Sequence, residues 1–189
     1  VNYKKMEMKN LSINCIIAID PGVSNGGICV YRPNEQTKCV RMPRDLRDLL
    51  DFIKYYKSIT RPIVFVEKLN VRMDDAEENR GKLFRIQKML ANFEQIKSLL
   101  VLLDIPFVLV HPMKWQNTLK LRKAGSNEEK SERKARYKKV AQDLYKGVNV
   151  TLWNADALLI MHFGRYVLQN EIDWILQNIP TTTQELLFK

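Results

Sequence analysis

The chain has 189 residues, 46% of them hydrophobic, and a formal net charge of +10. This length favours one domain built around one core. No apolar run approaches the roughly 20 residues that a membrane-spanning helix needs, and the first ten residues lack an apolar signal core. We therefore expect a cytoplasmic protein with no membrane partner. The excess of basic residues indicates a polyanionic partner instead.

The positive charge is concentrated in one basic segment. Residues 113–146 contain eleven Lys or Arg and only four acids. Phosphate groups are the natural partners of such a segment. The candidate DNA contacts within it are Lys114, Lys120, Arg122, Lys123, Lys130, Arg133, Lys134 and Arg136.

The most informative stretch is a predicted hairpin near the beginning of the chain. An apolar run over residues 12–20 ends in Asp20, a Pro-Gly and Asn-Gly-Gly turn follows, and a second β-rich run starts at once. A strand with apolar residues on both faces is typical of the centre of a sheet. Asp20 then lies at the edge of a buried layer, where a positive partner such as a metal ion is favoured.

The remaining elements predict an α/β fold with a mixed sheet flanked by helices. Residues 12–20, 26–32 and 37–42 read as an antiparallel meander. Further strands are predicted at 63–66, which runs directly into Glu67, and at 106–110. Helices are predicted at 44–58, 82–103, 113–121 and 128–145, and a last apolar helix begins near Asn154 and carries Asp156 in its first turn.

The domain boundaries follow from the same patterns. We expect a flexible basic extension at 1–11, one domain at 12–170 and a tail at 171–189. Cys15, Cys29 and Cys39 are odd in number and have no metal-ligand spacing, so we interpret them as buried thiols.

Three of these motifs together resemble the RuvC-type Holliday junction resolvases of the RNase H-like superfamily. They are the Asp-Pro-Gly turn that begins at Asp20, the strand that ends in Glu67, and the Ala-Asp-Ala-Leu-Leu helix around Asp156. Their order and element types match over roughly residues 14–170. The resemblance implies a homodimeric endodeoxyribonuclease, of a bacterium or a bacteriophage, that cuts four-way DNA junctions symmetrically.

The resemblance also implies roles for individual residues. Asp20, Glu67 and Asp156 would bind Mg²⁺ or Mn²⁺, with two ions per subunit. Lys114 and Lys130 best match two lysines that act near the scissile phosphate in the family. Arg72, in the polar loop after Glu67, occupies the region where the family tends to insert an aromatic residue into the junction. Hydrolysis of a phosphodiester with two such ions is consistent with three carboxylates beside a basic segment.

One position departs from the family pattern. A fourth ligand usually lies three residues before the last aspartate, and this chain has Trp153 there. A junction-binding protein that has lost catalysis is therefore an alternative. An ATPase of the actin-like superfamily, whose first hairpin also begins with an aspartate, is the other enzyme class, but the chain is short and basic for it.

The predicted helix at 82–103 provides a surface for the dimer. Its apolar positions cover more of the circumference than one sheet face requires. Symmetric cutting of a junction needs two active sites. We therefore expect the second face of this helix to contact the partner subunit.

Overall fold

The computed structural model describes residues 13–23, 25–69, 80–122 and 128–180, without the side chains of Arg80 and Lys82. The predicted extension at 1–11, the loop at 70–79 with Arg72, Lys123 and the last nine residues of the predicted tail lie outside the described residues.

The described residues form one five-stranded sheet. The strands are β1 (Cys15–Asp20), β2 (Gly27–Tyr31), β3 (Lys38–Arg41), β4 (Pro62–Glu67) and β5 (Phe107–Val110). Their order across the sheet is β3-β2-β1-β4-β5. The first three strands pair antiparallel, and β4 and β5 are added parallel to β1. The predicted meander and the mixed sheet are thus confirmed, and β1 is the central strand.

Six helices within the described residues cover the two faces of the sheet. They are α1 (Leu46–Ile59), α2 (Arg80–Leu102), α3 (Pro112–Thr118), α4 (Lys130–Leu144), α5 (Ala155–Asn170) and α6 (Ile172–Asn178). One face is packed by α1 and by the second half of α2, through buried residues such as Ile53 and Ile96. The other face is packed by α3 to α6. In the described part of the chain, no helix has the length and hydrophobicity needed to cross a membrane.

The helix α5 lies unusually close to the sheet. Its residues from Ala155 to Met161 are all buried. Further along, a Cβ atom on Gly164 would lie 2.8 Å from the ring of Phe65 in β4, so only glycine allows this approach. The sequence did not predict α6, in which Ile175 is buried in the same core.

The structure corrects the interpretation of two cysteines. Cys29 and Cys39 are directly opposite each other in the β2–β3 pairing, with Cα atoms 4.2 Å apart, and they form a disulfide. Sequence spacing did not predict this bond, because the register of the hairpin brings together residues that are ten positions apart. Cys15 is a buried free thiol, as expected.

Candidate active site

Two of the predicted site residues lie at the ends of adjacent parallel strands. Ile19 of β1 is paired with Val66 of β4, so the next residues, Asp20 and Glu67, emerge side by side from the same edge of the sheet. Each strand is fully buried up to its last residue. The apolar runs therefore place both carboxylates at the boundary between the core and solvent.

A tight turn holds Asp20 in place. The backbone N–H of Gly22 donates to Oδ1 of Asp20 at 3.1 Å, and the N–H of Gly26 donates to the carbonyl of Gly22 at 2.8 Å. A Cβ atom on Gly26 would lie only 2.2 Å from that carbonyl oxygen. The glycine is thus required for the chain to close over the carboxylate.

Glu67 is held by a buried tryptophan. The indole N–H of Trp115, in α3, donates to Oε1 of Glu67 at 3.0 Å, and Trp115 is fully buried. The Trp115 ring packs in the core between the sheet and helices α3 to α6. Its second role, fixing a site carboxylate, could not be predicted, because the two residues are 48 positions apart.

Asp156 completes the cluster from the first turn of α5. The residue is only 5% exposed. Its Oδ2 accepts a hydrogen bond from the ammonium of Lys134, whereas its Oδ1 is buried without a described hydrogen-bond partner. A buried carboxylate oxygen without a donor is costly, and a cation or a donor is therefore favoured at this position.

The carboxylates influence one another electrostatically. Burial, and then the charge of Asp156, raise the pKa of Asp20 to about 6. Burial, followed by the charges of Asp20 and Asp156, raises the pKa of Glu67 to about 8, although the hydrogen bond from Trp115 opposes this. The three side chains therefore form one cluster with too little positive charge to balance it.

Lys134 is the basic residue most closely associated with this cluster. Burial alone would lower its pKa, but the charge and hydrogen bond of Asp156 raise the pKa above the ordinary lysine value, with further contributions from Asp20 and Glu67. The sequence placed Lys134 only among general DNA contacts. A signal was present, however, because Lys134 lies three and seven residues before Tyr137 and Ala141, the buried positions of α4.

The cluster opens into a groove that we call the central cleft. Its volume is about 460 Å³. Asp20 and Glu67 lie at its base, with the side chains of α2 on one flank and of α4 on the other. Its basic and apolar flanking residues are Arg85, Lys88, Met89, Lys130 and Lys134. A polyanion entering here would meet positive charge from both helices.

The chemistry of these donors fits a hard divalent cation. Carboxylate oxygens are the ligands that Mg²⁺ and Mn²⁺ favour. Oδ1 of Asp156, which has no hydrogen-bond partner among the described residues, and the raised pKa values of Asp20 and Glu67 both indicate missing positive charge. Within the described ranges, no three Asp, Glu, His or Cys side chains are grouped in a way that could hold a metal ion. The ammonium of Lys134 lies against Asp156 instead.

The other described basic candidates form three groups: one residue that lines the cleft, two that pair with an acidic residue, and three others. Lys130 lines the central cleft beside the carboxylates. Lys114 pairs with Glu171 at 2.7 Å and lies 5.1 Å from the ring of Trp174, and it is not among the residues that line the cleft. Arg136 makes a double hydrogen bond to Glu128, at 2.6 and 2.8 Å. Lys120 and Arg122 are exposed and Arg133 is half-buried.

Trp153 and Asn154 have structural contacts at the edge of the site. Trp153 packs on Gly27, the residue paired with Asp20, and Arg41 lies 5.4 Å from its ring centre. The amide of Asn154 accepts from the backbone of Thr151 at 2.7 Å and donates to the carbonyl of Asn149 at 3.0 Å. Both side chains thus stabilise the loop before α5 and so the position of Asp156.

Comparison with known proteins identifies the fold. No protein-family model and no curated protein matches the chain. Among solved structures, Thermus thermophilus RuvC in complex with a Holliday junction substrate aligns with a TM-score of 0.52 and 13% identity, over 83% of this chain and 96% of that chain. A second Thermus thermophilus RuvC structure aligns with a TM-score of 0.47 and 14% identity, over 82% and 95% of the two chains. The chain has an RNase H-like fold.

Proposed function

We propose that this protein is a metal-dependent endodeoxyribonuclease that resolves four-way DNA junctions by paired hydrolysis of phosphodiester bonds. The observation that carries the proposal is the cluster of Asp20, Glu67 and Asp156, of which Asp20 and Glu67 line a cleft with basic flanks. The RNase H-like fold supports it, because one solved protein with a similar fold is a RuvC in complex with a Holliday junction substrate.

In this proposal, Asp20, Glu67 and Asp156 hold Mg²⁺ or Mn²⁺. When bound, these ions would make water a better nucleophile and neutralise charge on the leaving oxygen. Trp115 keeps Glu67 in one orientation, and the turn at Gly22 does the same for Asp20. The chain thus supplies preorganised oxygen ligands at the boundary of the core.

The basic residues bring the phosphate to these ligands. Lys130 and Lys134 flank the carboxylates from α4, and Arg85 and Lys88 flank them from α2. Without these charges, three carboxylates would repel a polyanion. We assign Lys134 the position beside the scissile phosphate, because it is the lysine that contacts a site carboxylate. The remaining charges of the basic segment contribute attraction that does not depend on sequence.

We further propose a homodimer formed through the first half of α2. Leu83, Phe84 and Leu90 are 38%, 58% and 39% exposed there. A four-way junction is nearly two-fold symmetric, and two opposed cuts need two active sites. A second copy of the chain is therefore the occupant that this surface would take. Met89 is not part of the surface, because it lines the central cleft.

The direct test is cleavage of a four-way junction, a Y-fork and a linear duplex in parallel with Mg²⁺. We expect paired incisions in the junction and little cutting of the duplex. Asp20→Asn, Glu67→Gln and Asp156→Asn should each abolish cutting while binding is kept or improved, because each removes a ligand and also a negative charge that faces phosphate.

The outcomes separate the proposal from its alternative. Junction binding without metal-dependent cutting by the wild-type protein would favour a non-catalytic junction-binding protein on the same fold. If one of the three carboxylate variants cut at the wild-type rate, that residue would be removed from the ligand set.

A further inference from the structure

The central cleft continues into a second groove on the side of the molecule that carries α1 and α2. This side groove has a volume of about 490 Å³ and shares Val23 and Lys88 with the central cleft. From there it extends past Asn92 and Gln95 of α2 to Pro43 and Arg44, in the connection between β3 and α1. The two grooves thus form one continuous path around the β1–β2 turn.

The side groove differs from the central cleft in charge. Arg44 and Lys88 are both exposed and line it, and among its described lining residues none is acidic. The central cleft, in contrast, contains Asp20 and Glu67. Phosphate is therefore attracted to the side groove without the help of a metal ion.

The walls of the side groove are fixed to one another. The side-chain amide of Asn92 donates to the carbonyl of Pro21 at 2.8 Å and thereby ties α2 to the β1–β2 turn. Lys88 lies 4.5 Å from the ring centre of Phe84, which restricts its ammonium to this side of the helix. A preorganised groove loses little entropy when it binds a ligand.

We infer that the side groove binds the phosphate backbone of the DNA strand that is cut in the central cleft. The inference rests on the proposed nuclease function and deepens it, because it assigns Arg44 and Lys88 to a second phosphate site. Among the described residues, none of the basic candidates singled out by the sequence lines this groove.

The sheet geometry limits the distance between the two sites. Asp20 is paired with Gly27, and Gly27 is paired with Arg41, three residues before Arg44. Two strand spacings place the end of β3 about 10 Å from Asp20, and the three residues that follow add at most about 10 Å. Because successive phosphates of one DNA strand are farther apart than the axial rise of about 3.4 Å, Arg44 should contact a phosphate about two to four nucleotides from the scissile phosphate.

The test uses the full-length protein and synthetic junctions, with binding measured without divalent ions over a range of salt concentrations. Arg44→Ala and Lys88→Ala should each lower the slope of log affinity against log salt by about 0.9, because each removes one phosphate contact. Arg61→Ala and Lys54→Ala are matched controls. Arg61 precedes β4 at the opposite end of the sheet, Lys54 is exposed on α1, and neither lines a groove. The slope should not change in these controls.

A second measurement locates the contact. Junctions carrying one neutral methylphosphonate, placed in turn from one to six nucleotides from the cleavage site, should weaken wild-type binding most at a position about two to four nucleotides from that site. The same substitution should have no further effect on Arg44→Ala, whereas Arg44→Lys should remain sensitive to it. Thermal melting should give the same Tm for these exposed variants as for the wild type.

The outcomes distinguish this inference from the proposed function. If the wild type binds and cuts junctions while Arg44→Ala, which alters a residue of the side groove alone, behaves like the controls, the side groove is not a phosphate site and the nuclease proposal stands. Additive losses from the methylphosphonate and from Arg44→Ala would also overturn the inference, because they indicate separate contacts. A wild type that binds no DNA would overturn both.

Discussion

Glu67 shows how a site residue can reduce the stability of the fold that holds it. Its carboxyl is placed by a buried strand and fixed by Trp115, and burial together with the neighbouring charges of Asp20 and Asp156 raises its pKa to about 8. In the unfolded chain the pKa of Glu67 returns to the ordinary glutamate value of 4.5. Between these pH values, the folded chain holds a proton that the unfolded chain releases.

We therefore predict that the metal-free protein loses stability as the pH rises from about 4.5 to about 8, because the unfolded state then binds fewer protons than the folded state. Glu67→Gln should increase the free energy of unfolding at pH 8 and leave it nearly unchanged at pH 4.5. Urea unfolding at several pH values measures this effect. The exposed Asp51→Asn serves as control and should give equal shifts at both pH values. A constant effect of Glu67→Gln across the range would contradict the assignment of Glu67 as a buried, charge-deficient carboxyl.

Lys134 increases the stability of the folded state, whereas Glu67 reduces it. The ammonium of Lys134 supplies positive charge to the carboxylate of Asp156. Lys134→Met should lower the free energy of unfolding by about 1–3 kcal/mol, because it leaves a buried carboxylate without its donor. Addition of Mg²⁺ should then raise the Tm of the variant, since an ion bound only to the folded state stabilises it.

Kinetic measurements on Lys134→Met distinguish a role of this lysine in catalysis from a general attraction of DNA phosphate. Turnover of the junction should fall by a larger factor in Lys134→Met than binding does, whereas the exposed Lys139→Met on the same helix should leave the ratio unchanged. Equal losses in turnover and affinity would show that Lys134 is an ordinary phosphate contact.

Helix α2 combines three surfaces on one element. Its second half packs on the sheet through Phe93, Ile96 and Leu100, while Arg85, Lys88 and Met89 face the central cleft. Leu83 and Leu90 are seven residues apart and therefore lie on one side of the helix, where both are partly exposed. The wide apolar pattern of this helix in the sequence therefore has two causes: packing on the sheet in its second half and an exposed apolar surface in its first half.

We predict that Leu90→Glu shifts the protein towards monomer and reduces paired incisions more than single nicks, because it places a charge in an apolar contact. Light scattering with and without junction DNA measures the mass, and supercoiled substrates with an extruded cruciform distinguish paired from single cuts. Tyr55→Glu, which alters a residue 55% exposed on α1, is the control. An unchanged mass and unchanged paired cutting in Leu90→Glu would place the dimer contact elsewhere.

At the scale of the whole molecule, the sequence predicted the framework better than the contacts within it. Each strand that carries a site carboxylate is a continuous apolar run ending in an acid, and parallel pairing of β1 and β4 then necessarily places Asp20 beside Glu67. Asp156 could be assigned to the site only through the resemblance of its helix to the family motif, because an acid in the first turn of a helix also interacts favourably with the helix dipole. These features depend on local patterns, which a sequence displays directly.

The parts that were not predicted depend on orientation between distant elements. Helix α4 is so rich in basic residues that its buried face was not recognised from the sequence. The position of Lys134 on that face was therefore missed, although its spacing to the buried residues Tyr137 and Ala141 indicated it. The hydrogen bond from Trp115 to Glu67 and the ion pair between Lys114 and Glu171 link segments 48 and 57 residues apart. Such contacts follow from the packing angles of helices, which no short motif encodes.

The close contact between Gly164 and the Phe65 ring sets the angle at which α5 crosses the sheet. Asp156 lies eight residues before Gly164, about 12 Å along the helix axis, so a small tilt at the contact is transmitted to the carboxylate. Gly164→Ala would bring a methyl group to 2.8 Å from the Phe65 ring, and it should lower junction turnover although it touches nothing in the cleft. Adding Phe65→Leu should restore turnover by relieving the collision, and failure of the double variant to recover would show that α5 does not transmit the tilt. The alignment of the site is therefore set in the core, and screens for altered cleavage should find variants beneath the sheet as well as around the cleft.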